Sequence, residues 1–122
     1  TQYRYVFGKP LLEIPAGKMD PGEQVWDAAN RELEEETGMK AGELVYMGEI
    51  RPSVAYVTEV IHLYLARGLV ATRQHLDDDE FLNIERYPLE ALYEMVMENK
   101  LTDCKTVAAV LKARELLKRQ EK

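Results

Sequence analysis

A chain of 122 residues suits one domain with one core, and its 46% apolar residues are enough to fill that core. Sixteen basic against 22 acidic side chains leave a net charge of −6, a field that repels phosphate backbones and argues against a non-specific nucleic-acid binder. No uncharged run approaches the ~20 residues of a membrane span, nothing reads as a secretory leader, and the lone Cys104 offers neither a disulfide nor a zinc site, so the expected setting is cytoplasmic.

Taken in chain order, residues 3–7 alternate and favour a strand. A turn at 8–10 leads to a second strand over 11–14, which Pro15 ends. A glycine-bounded loop over 16–22 precedes a helix over 24–37, closed by Gly38. Strands are expected at 43–51 and 57–66 around a loop at 52–56. The acidic segment 77–80 precedes a short strand over 81–87, and helices over 89–99 and 103–120 finish the chain, the last burying Val107, Leu111 and Leu117. No repeat, low-complexity tract or linker interrupts the sequence, so 1–122 reads as one α/β or α+β domain with helices packed on a small sheet.

The helix over 24–37 carries carboxylates where apolar side chains belong. At about 100° per residue, Val25, Ala28 and Ala29 set the apolar direction, with Leu33 and Trp26 off one flank. Glu32 and Glu36 fall close to that direction and Glu35 beside it, whereas Asp27, Asn30 and Glu34 point to water. Like charges one turn apart oppose each other on a helix, and desolvating them without partners costs more. A divalent cation resolves the conflict, and hard oxygen donors at this spacing suit Mg²⁺ or Mn²⁺. A merely solvated acidic face is the plain alternative.

From Gly17 the chain reads Gly, five residues, Glu23, seven residues, then Arg31-Glu32-Leu33-Glu34-Glu35-Glu36-Thr37-Gly38-Met39. This is the complete Nudix box, and the sequence resembles the Nudix hydrolases. The resemblance implies metal binding by Glu32, Glu36 and the carbonyl of Ala16, with Glu35 beside them as a catalytic candidate. It also implies that Arg31 holds a box glutamate, that Glu23 ties the loop to the helix, and that Gly17 and Gly38 permit its turns. Flanking runs, including Gln2-Tyr3-Arg4-Tyr5, Leu12 to Lys18, Glu59 to Ala66 and Gln74 to Phe81, are similar to the ADP-ribose pyrophosphatase branch.

For that branch the resemblance implies metal-dependent hydrolysis of ADP-ribose to AMP and ribose 5-phosphate. Glu80 is the candidate general base, Arg4 the cation that binds the diphosphate, and Glu59 a substrate contact. His62 and Trp26 read instead as packed residues. Other nucleoside diphosphate derivatives, or a catalytically idle nucleotide-binding module, are the alternatives. The implied fold is a mixed β-sheet sandwiched between helices (α/β/α), here without N-terminal strands that relatives place in the sheet and exchange between subunits; a homodimer is expected. Ser53-Val54-Ala55-Tyr56 departs from the Ser-Pro-Gly-Phe common in relatives, which bears on selectivity for the terminal ribose.

Overall fold

A computed structural model describes residues 1–4, 8–72 and 84–120. Strand β1 (Gln2–Arg4) pairs antiparallel with β2 (Lys9–Leu11), with Arg4 opposite Lys9. The second strand therefore lies earlier than the expected 11–14. Pro10 is tolerated because a two-stranded ladder has only edges. The chain leaves the ladder after Leu11, and the Ile14 N–H donates instead to the Thr106 hydroxyl at 3.0 Å.

Helix α1 (Val25–Thr37) follows and ends where the sequence indicates, with Gly38 in the left-handed region at φ 73° and its N–H on the Glu34 carbonyl. The next pairing is β3 (Met39–Lys40), whose partner comes much later in the chain. Strand β4 (Glu43–Ile50) pairs antiparallel with β5 (Ile61–Arg67) through a bulge between Tyr46 and Gly48. Residues 57–60, expected in that strand, do not join it, and the Val57 N–H closes a turn on the Ser53 carbonyl at 3.2 Å. Strand β6 (Val70–Ala71) returns to β3. Of the strand expected over 81–87, residues 81–83 lie outside the described set and 84–87 are not in a strand.

Among the described residues, pairing is antiparallel throughout and makes three two-stranded ladders, with helices and strands mixed along the chain as the α/β class requires. Helices α2 (Leu89–Met97) and α3 (Cys104–Gln120) close the chain. The Asp103 carboxylate caps α3 by accepting from the Thr106 N–H (3.2 Å) and hydroxyl (2.6 Å).

The core lies between α3 and the β4–β5 ladder, where Met47, Leu63, Ala109 and Ala113 pack with Ile14, Ile50, Ile61 and Leu65. The buried face of α3 is Thr106, Ala109, Val110 and Ala113. That is a rotation from the expected Val107, Leu111 and Leu117: Leu111 is 38% exposed, and the other two are half-buried. Small side chains let the helix approach the ladder closely, so the face that packs is not the one with the largest apolar residues. The Lys112 ammonium reaches across to the Met47 carbonyl at 2.5 Å and satisfies the backbone at the bulge.

Candidate functional site

Residues 15–22, between β2 and α1, are exposed and carry little apolar packing of their own. Polar ties to α1 hold them instead. The Arg31 guanidinium is the hub. Its Nε and Nη2 donate to the two Glu23 oxygens at 2.8 and 3.1 Å, and Nη2 also donates to the Lys18 carbonyl at 2.9 Å. Nη1 donates to Glu32 at 2.8 Å and to Glu35 at 3.0 Å. Asp20 completes the surround at 3.5 Å, and the Asp20 N–H donates to Glu23 at 2.9 Å. A planar guanidinium can span loop and helix in this way, whereas an ammonium has no fork to do it.

Two further contacts seat the loop. The Ala16 N–H donates to a Glu36 oxygen at 3.0 Å. At Gly17 an added Cβ would collide with the Glu32 carboxyl group. The need for glycine here is therefore space for a carboxylate, while Gly38 meets the backbone requirement of a left-handed cap.

The electrostatics follow from this crowding. Burial pushes the Glu32 carboxyl up from its ordinary pKa. The Arg31 hydrogen bond works against that shift, and the like charges of Glu35 and Asp20 reinforce it. Glu23 moves the other way, held ionised by Arg31 and by the Asp20 N–H. Arg31 is raised, first by its hydrogen bond to Glu23.

Among the described residues, no three acidic, imidazole or thiol groups form a ready-made metal cage. The donor chemistry nevertheless suits a hard cation that binds through one or two carboxylates and takes its other ligands from substrate oxygens and water, as Mg²⁺ does. Glu32 is desolvated beside like charges, an environment in which added positive charge favours the carboxylate form.

Arg4, Glu13, Ala16, Glu36, Thr37 and Ile84 line part of one cavity of about 150 Å³. Arg4 holds a two-pronged pair with Glu13, Nε to Oε2 at 2.6 Å and Nη2 to Oε1 at 2.5 Å. The same Glu13 accepts from the Lys105 ammonium at 2.9 Å, and Lys105 also reaches Asp103 at 3.0 Å. Only 8% of the Glu13 side chain is exposed. The Arg4 hydrogen bond, aided by Lys105, holds its carboxyl at about 2, well below the ordinary 4.5.

A depressed carboxyl pKa stabilises the fold above its unfolded-state value, and that contribution is lost as pH falls through the folded value. Glu13 is expected to contribute on the order of 3 kcal/mol near neutrality, lost as pH drops from about 4.5 towards about 2. Urea unfolding across that range should show a steep acid limb in the wild type and a flatter one in Glu13→Gln. Equal slopes would contradict the assignment.

Arg4, Ala16 and Glu36 thus share a cavity, while Glu32, Glu35, Glu23 and Gly17 gather around Arg31 next to it. Glu59 is exposed before β5 and is not among the residues lining this cavity. Glu80 lies outside the described residues. His62 is half-buried on β5, its Nδ1 2.9 Å from the Tyr46 hydroxyl. Trp26 is 55% exposed rather than packed, because α1 buries only the narrow face at Ala28 and its flank stands in solvent. Asn30 and Glu34 are not simply in water either: Asn30 accepts from the Ala41 N–H at 3.5 Å and Glu34 meets Lys40 at 3.5 Å. The tie from Glu13 to Lys105, which also reaches Asp103, has no local signal, since 92 residues separate Glu13 from Lys105.

The NUDIX domain family matches residues 2–108. The chain is 39% identical over 121 residues to the methanol dehydrogenase activator of Bacillus methanolicus, covering 96% of this chain and 65% of that protein. It is 35% identical over 124 residues to the ADP-ribose pyrophosphatase of Bacillus subtilis (strain 168), covering 98% and 67%. A crystal structure of an ADP compounds hydrolase superposes with a TM-score of 0.88 at 29% identity, over 98% of this chain and 64% of that one. The chain thus spans about two thirds of the length of the relatives it matches.

Proposed function

The chain belongs to the NUDIX domain family, and from that premise we propose that it hydrolyses the pyrophosphate bond of ADP-ribose, giving AMP and ribose 5-phosphate. The observation that carries this reading is one cavity lined together by the Arg4 guanidinium, Ala16 and Glu36 of the acidic box. A guanidinium suits a diphosphate, and carboxylates on the same wall suit the cations that accompany it. The likeness to an ADP-ribose pyrophosphatase and to an ADP compounds hydrolase supports the choice of substrate.

In this reading Glu32, Glu36 and the Ala16 carbonyl hold Mg²⁺, with Mn²⁺ as a substitute and Glu35 beside them. The bound metal supplies Lewis acidity and neutralises charge developing on the phosphates. Arg31 Nη1 holds Glu32 and Glu35 together, and Glu23 anchors Arg31. Arg4 binds the diphosphate. Glu80 accepts the proton of the attacking water, and Glu59 touches the substrate beyond the cavity. At about 150 Å³, the cavity is below the ~300–1,000 Å³ usual for a complete small-molecule ligand, and in this reading its walls take only the reacting part.

Residues 1–122 act as one cytoplasmic domain that pairs as a homodimer. Exposed Val54, Tyr56 and Val70, and ladders that no other strand among the described residues extends, support the pairing. No helix among the described residues is long and apolar enough to cross a membrane.

Incubation with Mg²⁺ and ADP-ribose, a nucleotide sugar, a dinucleoside polyphosphate or a nucleoside triphosphate, with the products identified, tests the reading. ADP-ribose should be the preferred substrate, with AMP and ribose 5-phosphate as products. Release of inorganic pyrophosphate from the triphosphate as the main activity would overturn that preference. Tight ADP-ribose binding without cleavage would leave a nucleotide-binding module.

A further inference from the structure

Resting on the reading of Arg4 as the diphosphate-binding cation, we propose that Lys105 and Asp103, at the start of α3, are positioning residues that hold Arg4 towards the cavity through Glu13. The path is continuous. Asp103 accepts from Lys105 at 3.0 Å, Lys105 donates to Glu13 Oε1 at 2.9 Å, and both Glu13 oxygens engage Arg4. Asp103 is itself fixed by the Thr106 N–H and hydroxyl, and Thr106 also receives the Ile14 N–H. Helix α3 therefore grips the segment just before the box at two adjacent residues, Glu13 and Ile14.

The burial pattern separates this device from an ordinary surface ion pair. The side chains of Glu13 and Lys105 are 8% and 15% exposed, whereas Arg4 is 43% exposed and lines the cavity. Ionised Glu13 favours the fold over its protonated form, but taking a carboxylate and an ammonium out of water offsets much of that gain, so net stability is not the pair's main role. Its effect here is geometric: a doubly anchored carboxylate fixes the plane of the guanidinium it holds. Glu13 must neutralise two cations, and Asp103 supplies the second negative charge, so the four groups balance. The fields of Asp103 and Glu36 also reach Arg4 and reinforce its positive charge. Without Lys105, Glu13 keeps its bond to Arg4 but loses the anchor that fixes its own orientation.

The test is a double-mutant cycle read by calorimetric titration of ADP in magnesium buffer, on wild type, Lys105→Met, Lys105→Arg, Arg4→Gln and Arg4→Gln/Lys105→Met. Lys105→Met should weaken ADP binding roughly fivefold or more, and the loss should vanish in the Arg4→Gln background. Lys105→Arg should recover most of the affinity. A merely structural lysine would lower thermal stability and leave the dissociation constant alone. Unchanged affinity in Lys105→Met, or an equal loss with and without Arg4, overturns the proposal. If Lys105→Met fails to fold, the same cycle with Asp103→Asn decides on the same criteria. Turnover of ADP-ribose by the wild type is measured alongside. Turnover absent with the coupling intact overturns the hydrolase reading alone, coupling absent with turnover intact overturns the positioning role alone, and a wild type that neither binds ADP nor turns over ADP-ribose overturns both.

Discussion

Glu36→Gln will lower kcat for ADP-ribose by about a thousandfold, equivalent to roughly 4 kcal/mol of transition-state stabilisation. The substitution is nearly isosteric. The amide keeps an oxygen that can accept the Ala16 N–H now bound at 3.0 Å, so the loop retains its seat. What disappears is the negative charge that the proposed cation between box and diphosphate requires. Steady-state kinetics with thermal unfolding of the same preparation separate the two consequences: turnover collapses while the melting temperature stays within a few degrees. A variant that turns over like the wild type would remove Glu36 from the metal-binding set.

Gly17→Ala is the second large effect, and it acts without touching a charge. Gly17 lies outside the left-handed region, so alanine fits its backbone. The obstacle is the Glu32 carboxylate, which occupies the space the new methyl group would need. The cheapest response is for Glu32 to swing away, which breaks its 2.8 Å bond to Arg31 and takes it from the acidic cluster. Turnover should fall roughly 10- to 100-fold, the scale seen when a group that orients a ligand is lost. Stability should change by less than ~1 kcal/mol, because the loop is exposed and buries little apolar surface. Wild-type kcat in Gly17→Ala would mean that the position of Glu32 does not matter to the reaction.

How much of this can be read from sequence varies with the range of the physics involved. Helix α1 is legible almost to the residue, because its amphipathic period and the glycine that ends it are local. The body of β4 and β5 is legible for the same reason. The two-residue strands β3 and β6 are not, since two residues carry no period and their pairing, Met39 with Ala71 and Lys40 with Val70, is not local. The packed face of α3 escapes a reading by hydrophobicity because Thr106, Ala109 and Ala113 are selected by closeness of approach. At the site, the acidic box announces its carboxylates but not their clasp: the motif implies one glutamate held by Arg31, and the guanidinium reaches Glu23, Glu32 and Glu35 together. Arg4 is visible as a lone cation, while its partner chain through Glu13 to Lys105 exists only after folding.

The Arg31 hub has a consequence for how the protein comes apart. The loop it ties down is seated by ion pairs and polar hydrogen bonds, while the interior is held by Met47, Leu63 and the α3 alanines. These two kinds of cohesion respond to different solutes. Guanidinium chloride both screens charge and competes with arginine for carboxylates, so it would unseat the loop well before the interior opens; urea, uncharged, would leave the loop in place until the interior itself gives way. Inactivation and unfolding would then part company in one chaotrope and coincide in the other.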